Sequence, residues 1–153
     1  MNEPMRRHDR QMTEAEALAL LEKGEYGVLS TLGEDGWPYS VPVNYALLQG
    51  KIVFHCAAGV GKKLRNLAFC PRVCFTVVGD TQLLPQKFST KYESVVAFGT
   101  ATPAADKPAA LLALVKKYSP AYLEPGRAYI AADAEKADVY AIHIEQLTGK
   151  ARR

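Results

Sequence analysis

Residues 26–57 read YGVLSTLGEDGWPYSVPVNYALLQGKIVFHCA, and their rhythm decides the fold. Tyr26 to Thr31 is rich in small and β-branched residues, Gly33-Glu34-Asp35-Gly36 reads as a turn, and Trp37 to Leu48 is a second run, so a hairpin is predicted. Gln49-Gly50 marks the next turn and leads into Lys51 to Ala57, where Ile52, Val53 and Phe54 give a third strand and complete a meander. Pro38 and Pro42 cannot donate to a sheet ladder, which gives the second run free edges or bulges.

Upstream, Thr13-Glu14-Ala15-Glu16 is a capping box that starts a helix, with Ala17, Leu18, Leu20 and Leu21 at helical spacing and Gly24 expected to end it in left-handed geometry. Downstream, Gly59-Val60-Gly61 breaks the third strand, and Lys62 to Phe69 carries Leu64, Leu67 and Ala68 in a helical pattern that Pro71 stops. Val73 to Val78 and Tyr92 to Thr100 read as strands, Asp106 to Tyr118 as a helix, residues 120–136 as partly helical, and Val139 to Leu147 as a closing strand. Six antiparallel strands in meander order with short helices predict a mainly β chain closed into a small barrel, because closure removes exposed sheet edges. A ferredoxin-like sandwich would need strands and helices to alternate more regularly.

A chain of 153 residues suits one domain, preceded by an N-terminal arm of about twelve residues. Hydrophobic residues at 48% and charged residues at 23% are ordinary for a folded globule. The formal charge of +3 is dispersed over Arg6, Arg7 and Arg10, then Lys62, Lys63 and Arg65, then Lys150, Arg152 and Arg153, which lacks the continuous basic face a nucleic-acid binder needs. Three cysteines, Cys56, Cys70 and Cys74, behind a polar and charged start fit a reduced cytoplasm and read as buried strand thiols rather than a metal site. No apolar stretch approaches the roughly twenty residues that span a bilayer.

The familiar hydrolase, zincin, Walker and Rossmann patterns are absent, so any redox chemistry must come from a cofactor. Gly59 to Asn66 is either a flexible loop whose helix start and paired lysines receive a phosphate, or a solvated turn. The proline-bearing strand Trp37 to Tyr45 either offers unpaired backbone groups to the polar rim of a planar heterocycle or is a plain irregular edge. His55 is placed to donate to a phosphate or ribityl oxygen, or is a half-buried strand histidine; His8 and His143 read as structural.

Together these segments resemble the flavin-binding split-barrel superfamily that includes pyridoxamine 5′-phosphate oxidase, and within it the nitroimidazole-resistance branch. The carriers are Met5-Arg6-Arg7 with Arg10; Tyr26 to Ser30; Gly36 to Tyr45; Phe54-His55; Gly61 to Asn66; Lys91 to Gly99; and Leu147 to Lys150. The resemblance implies a homodimer with two flavins, FMN or alternatively FAD, in grooves shared between subunits. It places Ser40, Val41, Pro42, Val43 and Asn44 along the isoalloxazine, His55 and Cys56 at the ribityl chain, and Lys62 and Lys63 at the phosphate. Tyr92 and Ser94 would come from the partner subunit, with the N-terminal arginines nearby. Many members of the branch carry a histidine between the loop glycine and lysine, where this chain has Lys62, and the loop after His55 is one residue longer.

The expectation is a cytoplasmic, flavin-dependent oxidoreductase that passes electrons from a reduced nicotinamide or another donor to a small aromatic acceptor such as a nitro compound. No catalytic acid or base is assigned; Tyr39 and His55 are the side chains to consider. The alternative is a non-catalytic flavin- or haem-binding protein of the same fold, for which His55 or His143 would be the axial ligand.

Overall fold

The structure, a computed structural model, describes residues 4–153, so residues 1–3 of the expected arm lie outside it. The rest of the arm is tied down: His8–Arg10 forms a 3-10 turn, and Gln11 bridges Lys150. Helix α1 (Glu14–Lys23) carries the predicted capping box, with the Glu16 amide donating to the Thr13 hydroxyl and the Thr13 amide donating to the Glu16 carboxylate at 2.8 Å. Gly24 ends α1, but in extended rather than left-handed geometry, at φ −58° and ψ 136°. Glycine is required there by crowding, because a Cβ would lie 2.5 Å from Val77 Cγ1 and 2.7 Å from the Tyr45 hydroxyl.

The expected hairpin forms from β1 (Gly27–Leu32) and β2 (Pro38–Val43), with Leu32 opposite Pro38. A second hairpin joins β3 (Ala46–Leu48) to β4 (Lys51–Ala57) through Gln49 and Gly50, both at positive φ as a tight strand turn demands. Then come α2 (Lys62–Phe69), β5 (Arg72–Val78), β6 (Gln82–Leu84) and β7 (Ser89–Pro103). The chain finishes with α3 (Lys107–Tyr118), α4 (Leu123–Asp133) and β8 (Ala137–Arg152). Eight strands replace the predicted six, because Asn44-Tyr45 interrupts the Trp37 to Leu48 run and β6 pairs onto β7.

Strand order departs from the predicted meander: it runs β2-β1-β5-β7-β8-β4-β3, with β6 off this path. Helix α2 carries the chain away from β4 and delivers β5 beside β1, while β4 takes β8 as its neighbour. The terminal strands β2 and β3 are separated by only two residues, and consecutive Cα atoms lie about 3.8 Å apart, so the sheet must curl until its edges nearly meet. The result is an antiparallel barrel split along the seam beside β2 and β3.

Alternation sorts the side chains. Leu29, Ile52, Phe54, Phe75 and Ile142 fill the interior, where Leu21 of α1 and Leu67 of α2 join them. Helix α3 packs on the outside, Ala110 and Leu114 against Val53, Val139 and Ala141. A bulge between Phe98 and Gly99 bends the long β7–β8 ladder. The cysteines are unpaired and only half-buried, and Cys70 caps α2 rather than lying in a strand. Among the described residues no helix is long and apolar enough to cross a membrane, and no cluster of side chains is arranged to hold a metal ion.

Candidate functional site

The seam is built from two unpaired strand edges. Strand β3 pairs only with Lys51–Val53, which leaves the seam side of Phe54–Ala57 without a strand partner among the described residues. Across the seam, β2 pairs with β1 alone. Pro38 and Pro42 sit two steps either side of Ser40, and since proline nitrogens cannot enter a ladder, all three residues turn their backbone groups away from β1. This edge therefore offers one amide donor, that of Ser40, flanked by the carbonyls of Pro38, Ser40 and Pro42.

Helix α2 begins at the mouth of the seam, after Gly61 at φ 105°, a conformation side chains disfavour. Its first two lysines diverge. Lys62 Nζ donates to Asp35 Oδ2 at 3.0 Å and lies 5.6 Å from the centre of the Tyr39 ring, on the β2 side. Lys63 Nζ lies 5.7 Å from the Phe54 ring, on the β4 side. The hydrogen bond from Lys62, with one from the Trp37 amide, holds the Asp35 carboxyl below its usual range. Asn66 fixes the helix from beneath: it is buried, its Nδ2 donates to Thr31 Oγ1 at 3.0 Å, and Thr31 donates to the Tyr39 carbonyl at 3.2 Å.

His55 and Cys56 follow Phe54 on β4, within the field of Lys63. Burial first, and the Lys63 charge second, lower the His55 pKa, so the imidazole is neutral at neutral pH. Burial raises the Cys56 thiol despite Lys63, which makes it a poor nucleophile. Asp138 organises the loop that follows: its carboxylate accepts the Gly59 amide at 2.8 Å, and its carbonyl accepts the Cys56 thiol at 3.7 Å.

Ser40 to Asn44, Lys62 and Lys63 thus gather around one seam, whereas His55 and Cys56 line a cavity between β4, α3 and α4. Tyr92 and Ser94 do not join them. In the β8 ladder His55 faces Val139 through β4, whereas Tyr92 pairs with Arg152 thirteen residues further on, at the other end of β8; Ser94 is two residues from Val96, which stands three strands across the sheet from Pro42, roughly 15 Å away. There Tyr92 meets the N-terminal arginines: hydrogen bonds from Arg10 and Lys150 outweigh the effect of burial and lower its pKa.

One barrel face carries no helix. Across five adjacent strands run Pro42, Val28, Thr76, Val96 and Thr148, and in the next row Ser40, Ser30, Cys74, Phe98 and Gln146. None is charged, and each is at least partly exposed.

A family profile described as pyridoxamine 5′-phosphate oxidase matches residues 13–151. The chain belongs to this family. Among solved structures, a conserved hypothetical protein from Mycobacterium tuberculosis aligns at TM-score 0.83 and 22% identity, over 98% of this chain and 91% of that one. A candidate 5-nitroimidazole antibiotic resistance protein from Bacteroides thetaiotaomicron aligns at TM-score 0.74 and 21% identity, over 92% and 85%. An FAD and heme binding protein from Mycobacterium smegmatis aligns at TM-score 0.81 and 24% identity, over 94% and 74%. These likenesses establish the split-barrel fold expected from the sequence. A search of curated proteins finds no match.

Sequence reasoning missed Asp35 and Asp138, which hold Lys62 and the glycine loop in place, and placed Asn66 in the candidate loop segment without reading its role as the anchor of α2. Asp35 had a visible signal, an acidic residue in a tight turn; Asn66 and Asp138 had none without the strand order.

Proposed function

We propose that two copies of this chain pair through the uncharged outer face and bind a flavin, FMN or FAD, along the seam between β2 and β4. The observation that carries the reading is the pair of lysines on the first turn of α2, one leaning on each wall of the seam. The residues fit the group. Lys62, Lys63 and the amides at the start of α2 suit a phosphate. The Ser40 amide, the neighbouring carbonyls and Asn44 suit the polar edge of the ring. Tyr92 stands at the opposite end of β8 from the end of β4 that leads into the lysine loop, which supports the pairing, because a ligand meeting both groups would reach them from two subunits.

A bound flavin supplies electron transfer that no side chain here provides. The protein's part is to grip the phosphate, orient the ring against β2 and exclude water with the partner's surface. The oxidase family and the likeness to a 5-nitroimidazole resistance protein support an oxidoreductase that delivers electrons to a small aromatic or nitroaromatic acceptor, and a reduced nicotinamide is the donor we propose.

The test is the visible spectrum of the purified protein before and after anaerobic addition of reduced nicotinamide. Flavin bands that bleach support the reading, whereas a Soret band in their place moves a haem-binding role to the front. Replacing both Lys62 and Lys63 by alanine should strip the flavin; unchanged occupancy would overturn the phosphate assignment.

A further inference from the structure

Helix α4 lies over the barrel without burying a single residue. It is nonetheless fixed at two points. Near its start, Gly126 meets α3 so closely that a Cβ would stand 2.5 Å from Val115 Cγ1. Past its end, Lys107 Nζ of α3 donates to the Ala134 carbonyl at 3.1 Å and the Ala137 carbonyl at 2.7 Å. A helix pinned at both ends spans the surface between like a bridge, and beneath it lies a cavity of about 360 Å³. Its walls are mainly apolar, with Leu111 and Leu114 from α3 and Ile130 from α4, while His55 of β4 stands on the floor. A gap left by loose packing would let α4 settle; the two pins hold it off.

The volume is that of a small-molecule site, and such sites are apolar with few polar anchors. The charges decide the class of ligand. Among the described residues the cavity has no arginine, and its one lysine, Lys136, is paired with Asp133. No uncompensated charge is left for an anion or a cation, and His55 in its neutral form offers one donor and one acceptor. We propose that this cavity binds a small, uncharged, largely apolar ring compound carrying one hydroxyl, carbonyl or ring nitrogen, which hydrogen-bonds to His55. The site lies against the outer face of β4, separate from the seam and independent of whether the seam holds a flavin.

2-Naphthol, uncharged at pH 7.5 and fluorescent, is the probe. Titrated into the purified protein, it should saturate at one site per chain, and Ile130→Trp, which fills the cavity from its roof, should weaken binding at least tenfold while Leu83→Ala, at an exposed position on β6, leaves it unchanged. On the unaltered protein, nuclear Overhauser contacts from the naphthol ring should reach the Leu111 and Ile130 methyls, a readout that stands even if the tryptophan variant does not fold. Adding FMN should not displace the probe. Absence of saturation, contacts confined to other methyls, an unchanged affinity in folded Ile130→Trp, or competition by FMN would each overturn the proposal, the last by merging the cavity with the seam.

Discussion

Tyr118 ties α3 to the corner where the two ends of the sheet meet. Its hydroxyl donates to the Glu25 carbonyl at 2.6 Å and accepts the Tyr45 amide at 2.9 Å, and Tyr45 itself is fully buried. Tyr118→Phe keeps the ring, which packs beside the α3 contact, and removes only the oxygen. The Tyr45 N–H then has no partner and no water, a loss of about 1–3 kcal/mol for an unsatisfied buried donor. Taking about 2 kcal/mol, and about 2–4 °C per kcal/mol for a chain of this size, the melting temperature should fall by about 4–8 °C. Urea denaturation followed by circular dichroism should show a lower midpoint with an unchanged slope, since the same surface is exposed on unfolding. Tyr122→Phe, at a solvent-exposed ring, serves as the comparison and should leave the midpoint in place. If Tyr118→Phe shifted stability no more than Tyr122→Phe, the claim that this hydroxyl closes the corner would be wrong.

Asn66→Ala removes the buried anchor between α2 and Thr31 and should cost about 1–3 kcal/mol by chemical denaturation, with a weaker hold on added FMN because the lysines lose their platform. Gly99→Ala should destabilise by about 1–3 kcal/mol or more in the same assay, since the new Cβ would meet the His143 carbonyl oxygen, a backbone atom in the neighbouring strand, at 2.1 Å. Burial raises the pKa of Tyr45, Tyr118 and Tyr140 above the ordinary 10.0. A raised value means that their contribution is complete below pH 10.0 and is lost as pH rises through the folded-state values. An ultraviolet titration should therefore find Tyr45, Tyr118 and Tyr140 ionising above pH 10.0; ionisation of these three at or below that value would contradict the burial.

Local chemistry was legible in the sequence. The Thr13–Glu16 box, the Gln49-Gly50 turn and the limits of α2 all depend on residues within a few positions of each other. Strand order was not, because the neighbours of β4 are chosen by packing of Ile52 and Phe54 against a strand that begins at residue 137, and no short-range period carries that information. The long strands were underread for a related reason: Ser89–Lys91 is polar and is held extended by β6, and Lys150–Arg152, with two of its three residues charged, is held by Tyr92–Ser94 of β7 rather than by its own hydrophobicity. The candidate site divides the same way. The lysine loop and the proline edge were visible as residues, but their convergence on one seam, and the bridge made by α4, needed the barrel to close. Residues 120–136 were ambiguous because α4 buries no residue and so has no apolar stripe for its period to display.

The pairing of β4 with β8 also bears on how the chain is made. Ile52 lies opposite Ile142, so about ninety residues must be synthesised after β4 before its partner exists, and at roughly 5–20 residues per second that is an interval of about 5–20 s. During that time β4 has only the three residues of β3 for company, and Ile52, Val53 and Phe54, which end up in the core, face the solvent of the ribosome exit. The nascent chain therefore carries an exposed apolar edge until its last strand arrives, and a truncation that removes β8 leaves β4 open to the first strand it meets.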